Sequence, residues 1–105
     1  MSAYAILNDA NEVVAVDDVR EWAAWFELNE GRRIVAQTSI SPGVRVSTVF
    51  LGINHSFIWG GRPLWFETMI FGGPHSDDQQ RYETYLEAQL GHQEMVMRAK
   101  QPTLQ

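Results

Sequence analysis

The 105-residue chain has no cysteine, and lysine occurs once, at Lys100. Without thiols there can be no disulfide scaffold and no thiolate metal site, so a reducing compartment suits the protein best. No apolar run approaches the roughly 20 residues a membrane helix needs. The N-terminal MSAYAILNDANE has neither the basic n-region nor the apolar h-region of a leader. A soluble, cytoplasmic protein with no membrane partner is expected, folded as one domain over residues 1–105. The formal net charge of -5 excludes broad nucleic-acid binding, which needs a basic stripe to displace counterions from phosphates.

What charge there is has a pattern. Residues 1–31 are strongly acidic, whereas residues 32–73 hold Arg32, Arg33, Arg45 and Arg62 against Glu67 alone. Arginine suits bidentate contact with carboxylate or phosphate. Two uses are open to these four: pairing with the acids of flanking helices, or holding an anionic ligand.

The periodicities divide the chain into an α+β domain. Ala3 to Leu7 and Glu12 to Val16 are short β-prone runs around the turn-rich Asn8-Asp9-Ala10-Asn11, which reads as a hairpin. Asp18 with Glu21 resembles a capping box, and Val19, Trp22, Ala23 and Phe26 follow at helical spacing up to a stop at Gly31. Arg33 to Ile40 and Val44 to Ile53 flank Ser41-Pro42-Gly43, a type II turn signal. Leu64 to Phe71 adds a third strand, and the polar HSDDQQ after it reads as loop. Thr84 and Glu87 open a last helix with Tyr85, Ala88, His92, Met95 and Ala99 on its buried stripe. The expected fold is a mainly antiparallel sheet of about five strands, an N-terminal hairpin plus a three-stranded meander, packed by two helices.

The stretch LWFETMIFGG, residues 64–73, places a carboxylate inside an apolar run. A buried carboxylate must be paired, hydrogen-bonded or protonated. Strand alternation puts Trp65, Glu67, Met69 and Phe71 on one face. If the last helix covers that face, Glu67 and His92 share one hydrogen-bonded network.

Four stretches, EWAAWFE (21–27), RRIVAQT (32–38), VSTVFLGINHSF (46–57), and LWFETMIFGG with RYETYLEAQLGH (64–73 and 81–92), resemble a widespread group of small tailed-phage and prophage proteins. Its pattern runs VSTVFLGxxH, FETMxFGG and RYxTxxEAxxGH. The loop GINHSFIWGGRP departs from the group in having Ile58 and Trp59 where smaller residues are common. The polar positions marked by the resemblance, once caps and turns are set aside, leave His55, Glu67, Arg81, Tyr82 and His92 with Arg33. Together with Trp65 or Trp59 as a stacking wall they make a candidate ligand set.

No nucleophile elbow, P-loop, HExxH or deaminase zinc signature is present, so no catalytic residue, cofactor or metal is assigned. The phage resemblance implies a non-enzymatic counter-defence factor in the cytoplasm of a bacterial host. In that reading the ligand is a nucleotide-derived immune signal, held by arginine forks and aromatic stacking. Two other readings stand beside it: an inhibitor covering a host defence or nucleic-acid-processing protein, and a small nucleotide-processing enzyme. Four tryptophans and five phenylalanines are hard to bury in so small a domain, which points to a homo-oligomer.

Overall fold

The computed structural model describes residues 2–56 and 61–102. Its elements are β1 (Tyr4–Leu7), β2 (Val13–Val16), α1 (Val19–Leu28), a 3-10 turn (Gly31–Arg33), β3 (Ile34–Ser41), β4 (Val44–Phe50), β5 (Phe66–Phe71), β6 (Gln79–Tyr82) and α2 (Tyr85–Lys100). The fold is α+β, with two antiparallel sheets: β1-β2, and the meander β3-β4-β5-β6.

Each helix begins where its cap dictates. The Asp18 side chain accepts from the Arg20 N–H, and the Thr84 hydroxyl accepts from the Glu87 N–H, so one orphan donor of each first turn is satisfied. Helix α1 lies on the hairpin and turns Trp22, Trp25 and Phe26 inward, while Val19 and Ala23 are exposed. The expected stripe is therefore rotated. Trp25 and Phe26 are the reason, since both rings pack on Phe50.

Strand β4 stops at Phe50, short of the expected Ile53, because Gly52 takes φ +70 and a side chain there would run into Phe26 and Trp22. The chain then crosses to the hairpin, where the Ala5 N–H donates to Gly52 O at 2.9 Å and the Asn54 N–H to Ala3 O at 3.0 Å. The HSDDQQ segment also departs from expectation. Its two glutamines open β6, pairing Gln79 with Met69 and Gln80 with Thr68. Polar side chains are tolerated there because β6 is a short edge strand, open to solvent on one flank.

Helix α2 covers one face of the four-stranded sheet. That face carries Phe66, Thr68 and Ile70 of β5, all fully buried, with Val46, Thr48 and Phe50 of β4. Two apolar clusters result. One joins Ala5, Leu7, Phe50, Trp65, Phe66, Tyr82 and Ala88, and the other Val46, Ile70, Met95, Val96 and Ala99. Between them, along β4 and β5, runs a layer made of threonine.

Candidate functional site

The threonine layer is built by register. Thr48 and Thr68 are direct cross-strand partners, and their hydroxyls lie 2.5 Å apart. His92, one turn along α2 from Ala88, enters the layer from above. Its Nδ1 lies 2.7 Å from Thr48 Oγ1 and its Nε2 lies 2.8 Å from Thr38 Oγ1. A neutral imidazole has one donor and one acceptor nitrogen, so the two hydroxyls satisfy it completely. Burial holds His92 below the ordinary histidine range. The layer is a closed chain, Thr38 to His92 to Thr48 to Thr68, with no opening to solvent at the ring, which is 1% exposed.

Glu67 is not part of it. The covered face of β5 is that of residues 66, 68 and 70, so Glu67 points to the opposite side and meets Arg81, its cross-strand partner on β6, at 2.9 Å. The expected Glu67–His92 network is thus overturned. The strand alternates as expected but α2 covers the other face, because threonine side chains seal a sheet–helix interface when an imidazole satisfies their hydroxyls. Glu67 and Arg81 are both half-buried, and this pair answers the need for a partner inside LWFETMIFGG.

The other candidate residues scatter. Arg33 sits in the 3-10 turn with its guanidinium 4.6 Å from the centre of the Phe26 ring. Arg32 donates to Asn8 O and Asn11 Oδ1, and Arg45 stacks on Phe71 at 4.8 Å. Among the described residues, Arg62 is the one central arginine paired with acids at a helix, at 2.6 Å to Glu83 before the cap of α2 and 2.8 Å to Glu87 in its first turn. Arg62 beside it holds the Glu87 carboxyl below the usual carboxylate range. His55 lies in the loop after β4, and Trp59 lies outside the described residues. Tyr82 is buried beneath α2, near Thr68. Its hydroxyl completes no hydrogen bond among the described residues. Burial pushes the phenol up.

What the structure does open is a cleft of about 780 Å³ between the hairpin and the N-terminal end of α2. Trp65 and Tyr85 line it from the sheet and helix side, Val13 and Ala15 from β2, with Glu12 and Glu83 as its carboxylates. Trp65 is a residue of the candidate set. The hairpin side was missed, because Ala10 to Ala15 carry no unusual polar residue and only the docking of the hairpin on the sheet makes them a wall. Two arginines stand one residue behind the lining: Arg32 through Asn11, and Arg62 through Glu83. The first turn of α2, where backbone N–H groups have no partner within the helix, is at the same end.

Among the described residues no three His, Asp or Glu side chains cluster as a metal site would require. No helix among them is long and apolar enough to cross a membrane. No family model, curated protein or solved structure matches the chain.

Proposed function

We propose that the protein is a non-enzymatic binding protein that captures a nucleotide-derived small molecule in the cleft between the hairpin and α2. The observation that carries the reading is the aromatic lining: Trp65 and Tyr85 in a cleft of about 780 Å³, within the usual range for small-ligand sites. A base stacks on the half-buried Tyr85 ring, backed by Trp65, which is itself 6% exposed, and the carboxylates of Glu12 and Glu83 accept from amino and hydroxyl donors of a nucleoside. Phosphate would meet the first turn of α2 and Arg62, which exchanges its carboxylate partners for it. With the phage resemblance, the role is a cytoplasmic counter-defence factor that sequesters a host immune signal. A second reading, an inhibitor that docks on a host defence protein, is favoured by the exposed face of α1. There Glu21, Glu27 and Glu30 surround Leu28, which is 83% exposed.

Ala15 is exposed and lines the cleft, so Ala15→Trp fills it without disturbing the core. The expected result is a rise in melting temperature with cyclic dinucleotides or ADP-ribose derivatives, lost in Ala15→Trp at unchanged stability of the free protein. No shift with any of these, and no nucleotide released from protein purified out of infected cells, overturns the proposal.

A further inference from the structure

Helix α2 is apolar on two opposite faces. The inner one holds Ala88, His92, Met95 and Ala99. On the outer one Leu86, Leu90 and Met97 are 63%, 60% and 66% exposed, more than any other large apolar side chains of α2. With exposed Gln93 they follow in steps of four, three and four residues, the spacing of a coiled-coil seam. Single exposed leucines need no explanation, but a seam three turns long does.

We propose that this seam is a self-docking surface, on which a second copy of the chain lays its own α2 antiparallel. The charges of the helix ends choose both the occupant and the direction. The N-terminal end is acidic, with Glu83 just before the cap and Glu87 in the first turn against Arg62, and the C-terminal end is basic, with Arg98 and Lys100 in the last turn against Asp78. An antiparallel partner sets Leu86 against the partner's Met97 and Leu90 against the partner's Gln93, and brings each acidic end to a basic one. A parallel partner would stack Glu87 on Glu87 and Lys100 on Lys100. The same patch meets itself on both copies, as a two-fold dimer requires. One helix pair is a small interface, so dissociation on the order of micromolar is expected.

The test uses sedimentation velocity over a range of concentrations. Wild type is expected to pass from monomer to dimer, while Leu90→Glu stays monomeric with unchanged circular dichroism and melting temperature. Met97→Glu provides a second variant at an exposed position. Because the chain has no cysteine, direction can be read by cross-linking with a short bismaleimide. Leu86→Cys mixed with Met97→Cys is expected to cross-link efficiently, and Leu86→Cys alone is not. A wild-type monomer at all concentrations, or a dimer that survives both glutamate variants, overturns the surface. Self-cross-linking of Leu86→Cys above the mixture overturns the antiparallel arrangement.

Discussion

At the scale of single residues the unusual feature is a buried imidazole held between two threonine hydroxyls, Thr38 and Thr48. Desolvation disfavours its charged form, and both ring nitrogens are already satisfied while it is neutral. In the unfolded chain the same side chain titrates at about pH 6.5. The unfolded state therefore binds more protons than the folded one as the pH drops below that value. The stability His92 provides is complete above about pH 6.5 and is lost as the pH falls toward its depressed folded value. Denaturant unfolding between about pH 7.5 and 5 should show this loss. In His92→Gln, whose amide also offers a donor and an acceptor, that part of the slope should vanish while a smaller slope from other groups remains. An identical pH profile in the variant would mean that the layer admits the proton without opening. The Glu67–Arg81 pair stands apart from this layer on the opposite sheet face, where the two side chains, 16% and 28% exposed, satisfy each other's charge.

Among the elements, α2 does most of the positioning, and a glycine lets it. Gly91 lies mid-helix, where glycine is unfavourable by about 1 kcal/mol relative to alanine. A Cβ at that position would overlap the Tyr82 ring, so the glycine allows α2 to settle on β6 closely enough for His92 to reach Thr38 and Thr48. Gly91→Ala is accordingly expected to lower stability despite the gain in helix propensity, because forcing the ring aside costs about 1 to 3 kcal/mol. Thermal unfolding checks it; a higher melting temperature in Gly91→Ala would mean the tyrosine gives way freely. These elements were unevenly legible in the amino-acid order. The caps at Asp18 and Thr84, the turn at Pro42-Gly43 and the His92 stripe rest on local rules, and each stands. The β6 strand was not legible, since an edge strand built of Gln79, Gln80 and Arg81 lacks the apolar alternation that marks a half-buried one. Nor was the covered face of β5. Trp65, Met69 and Phe71 outweigh Phe66, Thr68 and Ile70 by hydrophobicity, and only the register with Thr48 and the position of His92 decide between the two faces. The Leu86, Leu90, Met97 seam was present in the spacing but hidden by the second apolar stripe of the same helix.

Over the whole molecule the two sheets are unequally anchored. The four-stranded sheet is clamped along its length by α2. The hairpin with α1 joins it at one end, through backbone bonds from Ala5 to Gly52 and Asn54 to Ala3, through Ala5 and Leu7 in the shared core, and through Trp25 and Phe26 against Phe50. No residue of α1 is fully buried. Elements with few buried contacts open at lower free energy than the sheet core. In hydrogen exchange, the amides of β1, β2 and α1 are expected to exchange by a separate, faster opening, while those of β4 and β5 wait for global unfolding. The cleft lies across this joint, with Val13 and Ala15 on the hairpin side and Tyr85 and Leu86 on the helix side. A ligand bound there touches both parts, so it binds the docked arrangement and not the open one. It should slow exchange of the hairpin by the ratio of its concentration to its dissociation constant and leave β4 and β5 less affected under conditions where they exchange locally. Uniform exchange across both sheets in the free protein would show a single cooperative unit. Ligand protection confined to α1 would place binding on the acidic helix face and favour the inhibitor reading over the cleft.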